Sequence, residues 1–160
     1  MNLNNYTIKS QDAIQQAQQI AQGFEHQQIE NAHLLKGIIE VDENVVPYIF
    51  SKIGVNVDLF QTTLDSILQS FVRVQGGEIM ISHNTGKTLN DAANLAKKMK
   101  DEYVSIEHLL LAMLKANNDV SSLMKDNGIN ESNLSAAINE LRKGKNVTSQ
   151  SQEETYNALD

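Results

Sequence analysis

The stretch VSIEHLLLA at residues 104–112 decides the fold, because a similar stretch, IENAHLL, stands at residues 29–35. Each stretch places a histidine directly before a Leu-Leu pair, and the two histidines, His33 and His108, are about 75 residues apart. An apolar residue precedes each histidine by four positions. Repetition of an apolar pattern at one fixed offset is typical of a chain built from copies of one structural unit. The sequence therefore indicates a tandem repeat.

The repeat extends beyond this stretch in both directions. Upstream, apolar positions of the first half fall on apolar positions of the second half at the same offset of about 75 residues. Downstream, after a slip of one residue, the sequence GVN at residues 54–56 falls on GIN at residues 128–130. The matched upstream pairs are Thr7 with Ser82, Ile14 with Leu89, Ala17 with Ala92, Ile20 with Leu95, Ala21 with Ala96, and Phe24 with Met99.

Apolar residues recur at helical spacing in both halves, and each half is predicted to form four helices. Thr7 is an expected N-cap, since its hydroxyl can accept from an orphan N–H of the first turn. Gly54 is expected just after the third helix, where a left-handed conformation ends a helix at least cost. The predicted helices begin at Thr7, at Glu30 or Asn31, within residues 42–44 and at Asn56 or Asp58, and in the second half they span 82–100, 105–116, 120–127 and 130–143.

Composition divides the chain into two repeats and two connecting segments. The repeats are assigned to residues 1–71 and 82–143, and a single proline with few aromatic residues favours helices over strands. Residues 72–81 alternate valine and isoleucine around Gly-Gly in the manner of a β-hairpin. Since no other predicted strand offers a sheet to join, a flexible inter-repeat connection is the favoured interpretation. Residues 144–160 are mostly polar and are predicted to be a flexible linker.

Charge and residue usage exclude several classes of function. The 160 residues carry a formal net charge of −7, which argues against nucleic acid or an anionic membrane as the main partner. No cysteine is present, so disulfides, thiolate metal sites and cysteine nucleophiles are excluded. The sequence has no long apolar run and no secretory signal pattern, so a cytoplasmic location is expected.

The motifs that could carry chemistry are incomplete. The sequence TGKT at residues 85–88 resembles the end of a phosphate-binding loop, but Ile81 stands where that loop needs its first glycine. His33 and His108 occupy equivalent positions without further ligands at helical spacing, which favours packing roles over a metal site. No serine stands in a Gly-x-Ser-x-Gly turn, and a small hydrolase is a weak hypothesis. The chain is therefore predicted to be a non-enzymatic domain without a cofactor.

These residues resemble the Clp ATPase N-terminal domain family. The resemblance rests on the repeat of about 75 residues and on the stretch EHLLLAML at residues 107–114, which is close to the family's signature. The opening residues 1–7 and the tail EETYNAL at residues 153–159 are most similar to the branch of protein disaggregases called ClpB. The resemblance covers residues 1–145 as the domain, with the remainder as linker.

The resemblance implies an all-α fold, an eight-helix bundle made of two four-helix repeats related by a pseudo-two-fold axis. It further implies that the domain binds exposed apolar segments of unfolded or aggregated proteins in a groove between the repeats and passes them to an ATPase ring. The full-length protein is expected to be an AAA+ ATPase that forms a homohexamer, uses ATP and Mg²⁺, and works with an Hsp70-type chaperone system, while the fragment is expected to be monomeric. The alternative is the adaptor-docking N-terminal domain of a ClpA- or ClpC-type unfoldase associated with a protease.

The resemblance also suggests site residues. Thr7, Asp101 and Glu107 match polar positions linked to ClpB function, although capping and ion-pair roles at helix N-termini account for such residues equally well. The ClpC branch has glutamate before histidine in both repeats and is associated with phosphoarginine recognition. Because this chain has Ala32 before the first histidine, a twin phosphoarginine site is not expected. Apolar candidates for the groove, several of which must be core because a helical stripe is usually buried, are Leu89, Leu95, Tyr103, Val104 and Leu109.

Overall fold

Eight α-helices make up almost all the regular structure of residues 2–156, which are the residues that the computed structural model describes. The predicted all-α, eight-helix fold is confirmed. Helices α1 to α4 span Ile8–Gly23, Asn31–Val41, Val45–Ile53 and Val57–Ser70, and helices α5 to α8 span His83–Lys98, Ile106–Lys115, Asp119–Asp126 and Glu131–Arg142.

The helix boundaries follow capping residues that are visible in the sequence. Thr7 Oγ1 accepts a hydrogen bond from Ser10 N at 3.2 Å, and Ser82 Oγ accepts from Thr85 N at 3.1 Å at the equivalent place in the second repeat. Gly54 ends α3 in the left-handed region with φ at 87°, a conformation that costs a residue with a Cβ atom about 1–2 kcal/mol. Local chemistry therefore sets where these helices begin and end.

The two repeats share one hydrophobic core. Helix α1 packs on α2 and α5 packs on α6 within their own repeats, but α3 packs on α8 and α7 contacts α4 across the repeats. Phe50 of α3 and Phe60 of α4 are buried, with ring centroids 4.9 Å apart in an edge-to-face arrangement. Such a pair contributes about 0.5–1.5 kcal/mol beyond the burial of its area. Because helices of each repeat cover faces of the other, the repeats stabilise one another.

Reciprocal backbone hydrogen bonds relate the two repeats. Ser82 N donates to Ile29 O at 3.2 Å, and Thr7 N donates to Val104 O at 3.0 Å. In each case the residue before the first helix of one repeat contacts the loop before the second helix of the other. A two-fold relation produces this reciprocity, since a contact from one copy to the other must recur in reverse.

The inter-repeat connection is held against the first repeat at two points. Val74 N donates to Glu25 O at 2.8 Å, and strand β2 (Met80–Ile81) pairs in parallel with strand β1 (Gln28–Ile29). Within residues 72–81 the structure has no hairpin. The partner strand is two residues of the loop before α2, which is too short to show an alternating pattern. The expectation of a connection without a strand partner is therefore corrected.

Residues 144–156 lie against the helices, where the sequence predicts a flexible linker. Val147 and Tyr156 are buried, and a short 3₁₀ helix, Gln152–Thr155, lies between them. The packing departs from the prediction because two well-separated apolar side chains anchor a segment whose average composition is polar. The remainder of the predicted linker, residues 157–160, lies outside the described residues.

Candidate functional site

A buried network of charged side chains lies at the start of α6. Asp101 Oδ2 accepts from Nε2 of His108 at 2.7 Å and from Nη1 of Arg142 at 3.0 Å. The Nε of Arg142 donates to Glu107 Oε1 at 3.0 Å. All of these side chains are buried, and buried charges persist only when they are paired and hydrogen-bonded. The network joins the loop before α6, the first turn of α6 and the C-terminal end of α8.

The pKa values of Asp101 and His108 are both lowered, but by different causes. Burial alone raises the pKa of Asp101, but the Val147 N–H and the Arg142 guanidinium outweigh it and lower that pKa. Burial lowers the pKa of His108 and outweighs the hydrogen bond to Asp101, which raises it. Because Ser105 N donates to Nδ1 of His108 at 2.9 Å, the proton of the neutral ring lies on Nε2. The pair is therefore a neutral imidazole that donates to a carboxylate.

The C-terminal segment places a further acid beside this network. Oε2 of Glu153 accepts from Thr7 Oγ1 at 2.6 Å and from Ile106 N at 3.1 Å. The backbone carbonyl of Glu153 accepts from Asn44 Nδ2 at 3.0 Å. Burial, assisted by the carboxylate of Glu107, raises the pKa of Glu153 to about 7. A carboxyl group that titrates near neutral pH thus lies where the two repeats meet.

Tyr156 supplies a second donor to Glu107. Its hydroxyl donates to Glu107 Oε1 at 2.9 Å, and burial raises the pKa of Tyr156 above its ordinary value. Among residues 2–156, Glu107 Oε2 and Glu153 Oε1 have no hydrogen-bond partner. An unpartnered buried oxygen is costly, and more so beside another carboxylate. The site is therefore stabilised when the carboxyl group of Glu153 takes up a proton.

The first repeat holds a histidine pair at the equivalent place. Nδ1 of His26 lies 2.8 Å from Nε2 of His33, and both rings pack against Phe71. Burial, and secondarily the neighbouring His26, lowers the pKa of His33 to about 4. Within the described part of the chain, Nε2 of His26 has no hydrogen-bond partner. The residues 2–156 contain no group of three His, Cys, Asp or Glu side chains placed to hold a metal ion.

The structure brings the three predicted polar site residues into one buried region. Thr7 contacts Glu153, while Arg142 joins Asp101 to Glu107. Thr7, Asp101 and Glu107 are all buried. Their contacts are caps, ion pairs and hydrogen bonds within the chain, which is the structural interpretation that the sequence left open. They do not form an open surface in this structure.

The predicted groove residues separate into two groups. Leu89, Val104 and Leu109 are buried in the core, so their assignment to an open groove is corrected. A helical stripe is buried wherever two helices pack, and α5 packs on α6. Leu95 and Tyr103 are partly exposed. These two side chains are the groove candidates that a partner could reach.

Leu95 lies in an open cleft between α5, α6 and α8. The cleft has a volume of about 310 Å³ and combines apolar side chains with a charged rim. The first repeat has a matching cleft of about 470 Å³, where Ile20 and Phe24 occupy the positions of Leu95 and Met99 in the repeat. The two clefts therefore follow the symmetry of the fold. Residues that line the second-repeat cleft include Leu95, Lys98, Met99, Leu111, Lys115 and Ile138.

Sequence reasoning did not identify Arg142, Glu153 or His26 as parts of the site. Arg142 and Glu107 are 35 residues apart, and Thr7 and Glu153 are 146 residues apart. No local pattern encodes pairing at such distances. The repeat offers one signal, because a polar ring or carboxylate stands seven residues before each repeated histidine, as His26 and Asp101.

Comparison with known proteins places these features in a family. The sequence profile of the Clp repeat (R) N-terminal domain matches residues 5–127. The chain belongs to this family. The chaperone protein ClpB of Porphyromonas gingivalis is 47% identical to this Clp N-terminal domain over 160 residues, and that of Bacteroides thetaiotaomicron is 46% identical over 160 residues. The alignments cover 100% of this chain but only 18% and 19% of those proteins, so the chain spans less than a fifth of their length.

Solved structures share the fold of this Clp N-terminal domain. The Hsp104 N-terminal domain from Candida albicans superposes with a TM-score of 0.84 at 20% identity, covering 94% of this chain and 99% of that one. The N-terminal domain of ClpD from Arabidopsis thaliana superposes with a TM-score of 0.68 at 23% identity, covering 90% and 98%. At these identities the likeness establishes the fold alone. No helix within residues 2–156 is long and apolar enough to span a membrane.

Proposed function

We propose that this chain is the N-terminal domain of a ClpB-type, ATP-dependent protein disaggregase. In this role it binds exposed apolar segments of unfolded or aggregated proteins and passes them to the ATPase ring. The family match and the identity to proteins named ClpB support the assignment. The hexameric ring, its ATP and Mg²⁺, the Hsp70-type partner and the cytoplasmic location belong to the full-length protein in this proposal. The domain itself acts by binding, without catalysis.

The observation that carries the proposal is the pair of symmetric clefts, each with two equivalent apolar side chains that are partly exposed. In the second-repeat cleft Leu95 and Met99 are partly exposed. Covering such a side chain contributes at most about 1.5–3 kcal/mol, so a few of them support weak binding. Methionine adapts its shape to different partners. Weak and adaptable contact suits a domain that must accept many unrelated unfolded segments.

The rim of the second-repeat cleft carries charges of both signs. Lys115 forms an exposed ion pair with Glu131 at 3.2 Å, and Lys98 stands beside them. A mixed rim does not select strongly by charge, since an exposed pair contributes only about 0–1 kcal/mol. The apolar content of a client, more than its net charge, is therefore expected to decide its affinity.

A phosphoarginine-binding role of the ClpC type finds no support in the site. Ala32 replaces one of the two glutamates, and Glu107 is buried in contact with Arg142 and Tyr156. An acid that already pairs with an internal guanidinium is not available to a second one. The proposal therefore does not include phosphoarginine recognition, and the identity to proteins named ClpB favours the disaggregase assignment over the adaptor-docking alternative.

NMR chemical-shift mapping of the chain with a permanently unfolded client protein tests the proposal. We expect shifts clustered around Leu95 and Met99 in the second-repeat cleft, and at least a fivefold weaker affinity in Leu95→Gln, the loss of roughly 1 kcal/mol of apolar contact. Leu59→Gln is the control, because Leu59 is exposed on α4 outside both clefts. Shifts confined to residues 144–156, or stoichiometric binding of a folded adaptor without affinity for unfolded chains, would contradict it.

A further inference from the structure

The segment after α8 contacts both repeats, mainly through polar groups. Val147 N donates to Asp101 Oδ1 at 2.9 Å, and Ile8 N donates to Gln150 O at 2.8 Å. Glu153 then reaches the helix starts at Thr7 and Ile106 through its carboxylate. Residues 147–156 therefore run from the second repeat across the first turn of α1 to the first turn of α6.

Residues 147–156 make specific polar contacts but bury little apolar surface. Val147 and Tyr156 are its buried apolar side chains, and its other buried residues are Gln152 and Glu153. Glu153 is fully buried, yet one of its oxygens has no partner among residues 2–156. Burying such an acid opposes docking, while the apolar contribution that offsets it comes from two side chains. A segment held in this way opens at a lower cost than a core helix.

We propose that residues 147–156 form a releasable strap, which Glu153 and Tyr156 hold against the body formed by the eight helices. In this proposal Thr7 and Glu107 are positioning residues for the strap, because they are the groups that Glu153 and Tyr156 contact. They act on the placement of the strap and do not touch a client. Asp101 holds the other end of the strap through the backbone of Val147.

Release of the strap increases the distance that the eight helices can move from the part of the full-length chain that follows the strap. When residues 147–156 are extended, they span at most about 35 Å, at roughly 3.3–3.6 Å per residue. In the docked state that length is folded against the body. This consequence rests on the proposed function, since the proposed ATPase ring follows the strap in the full-length chain. Docking would hold the domain close to the ring, and release would let it search a larger volume for clients.

Docking of the strap is coupled to protonation of Glu153. The docked carboxyl has a pKa of about 7, raised by burial from the ordinary value of 4.5. Between these values the docked strap keeps a proton that the released strap has lost, so docking weakens as the pH rises. A single carboxyl group with this pKa shift makes docking of the strap roughly tenfold weaker at pH 8 than at pH 6. Glu107 and Tyr156 interact with Glu153 directly. The other ionisable groups of the network interact with Glu107 or with one another, and they are Asp42, Asp101, His108 and Arg142.

Asp101 and His108 do not account for a change in strap docking between pH 6 and pH 8. The pKa of Asp101 is lowered mainly by the Val147 N–H and the Arg142 guanidinium, which outweigh burial, so Asp101 stays charged from pH 6 to pH 8. Burial lowers the pKa of His108, so His108 loses its proton at a lower pH than an ordinary histidine does. The carboxyl of Glu153, with a pKa of about 7, is the group to which we assign the pH dependence between pH 6 and pH 8. A merely structural role for Glu153 would not give docking this dependence.

Amide hydrogen exchange of the 160-residue chain at pH 6 and pH 8 tests the strap. The backbone N–H groups of Ile8, Glu102 and Ile106 report its release, because each donates to a strap residue. We expect their protection, corrected for intrinsic exchange, to be roughly tenfold lower at pH 8 than at pH 6, while the interior amides of α6 do not change. Glu153→Gln should remove this pH dependence. Glu154→Gln is the matched control, because Glu154 is exposed and adjacent.

A second variant examines the clasp at Tyr156. Tyr156→Phe keeps the ring and removes the hydroxyl that donates to Glu107, and we expect about tenfold lower protection of the reporter amides at both pH values. The proposal is overturned if the reporters exchange only together with the interior of α6 in every variant, or if Glu154→Gln abolishes the pH dependence as Glu153→Gln does. Since no client is present, these outcomes are independent of whether the clefts bind unfolded proteins.

Discussion

The Nδ1 atom of His26 lies 2.8 Å from the Nε2 atom of His33, at the place where the second repeat sets Asp101 2.7 Å from His108. In both repeats the second-helix histidine accepts a backbone N–H on Nδ1, from Glu30 at 2.8 Å and from Ser105 at 2.9 Å. Each histidine is therefore a neutral cap whose Nε2 proton points at the residue seven positions earlier. The geometry is shared, but in the first repeat the acceptor is an imidazole and not a carboxylate.

This difference predicts that His33 makes the fold sensitive to mild acid. Its pKa is about 4 in the native state, lowered by burial from the ordinary 6.5. Below pH 6.5 the unfolded chain takes up a proton that the native chain does not, so stability falls as the pH falls toward 4. We expect His33 to account for a loss on the order of 2–3 kcal/mol over this range, measured by urea denaturation at successive pH values.

The controls for this prediction compare how steeply the free energy of unfolding changes with pH in each variant. This comparison is needed because Glu153 changes stability with pH in the opposite direction. With its pKa raised to about 7, Glu153 lowers stability as the pH rises from 4.5 to 7. His33→Gln should reduce the loss of stability in acid. His83→Gln should leave it unchanged, because His83 is exposed on the first turn of α5. An identical pH slope in the wild type and His33→Gln would contradict the prediction.

A second prediction concerns the ion network in the second repeat. Asp101→Asn leaves the buried Arg142 with one carboxylate partner and disturbs four accepted hydrogen bonds, from His108, Arg142, Asn146 and Val147. Removing one partner of a buried pair costs about 3–5 kcal/mol, which urea denaturation at pH 7 would measure. Asp91→Asn is the control, since its pair with Lys87 is exposed on α5 and contributes about 0–1 kcal/mol. Equal losses in the two variants would show that burial of the network is unimportant.

The sequence predicts those parts of the fold that local chemistry controls. The caps at Thr7 and Ser82, the end of α3 at Gly54 and the repeat are all visible in short stretches, and the structure contains them. The packing of α3 on α8 was beyond such reasoning, because an apolar stripe shows that a helix has a partner but not which one. The parallel pair Gln28–Ile29 with Met80–Ile81 was missed because strands of two residues have no period.

The candidate site also has parts that the sequence predicts and parts that depend on tertiary packing. Thr7, Asp101 and Glu107 were selected through the family resemblance, and the structure shows that they lie in one region. Thr7 is buried in contact with Glu153, which is 146 residues away in the sequence. A segment of polar composition gives no sign that one of its acids is buried. Exposure of a side chain is a property of tertiary packing, and the sequence alone could not assign it.

A third prediction follows from the close approach of α1 and α2. A Cβ atom at Gly37 would lie 2.6 Å from the backbone oxygen of Ala13, which cannot move without shifting α1. Gly37→Ala should therefore destabilise the protein by about 1–3 kcal/mol. Gly86→Ala is the matched opposite, because Gly86 lies in α5 with no heavy atom within 4 Å of the added carbon. That variant should gain about 0.5–1 kcal/mol from helix propensity, and thermal unfolding monitored by circular dichroism would measure both.

The last prediction separates core from cleft among the apolar residues of the second repeat. Leu109 is fully buried on α6, so Leu109→Ala removes packing on every side and should cost about 2–5 kcal/mol. Leu95 is partly exposed at the cleft, so Leu95→Gln should cost less than Leu109→Ala, because part of its apolar area already faces water in the native state. Urea denaturation measures the stability of each variant, and titration with an unfolded client measures the affinity of the molecules that remain folded.

Stability and client affinity should respond differently in the two variants. Leu109→Ala is expected to lose stability while its folded fraction keeps the client affinity of the wild type, since Leu109 does not reach the surface. Leu95→Gln is expected to keep most of its stability and lose affinity. If folded Leu109→Ala bound clients as weakly as Leu95→Gln, the binding surface would have to include residues that this structure buries, and a conformational opening between α5 and α6 would be required for binding.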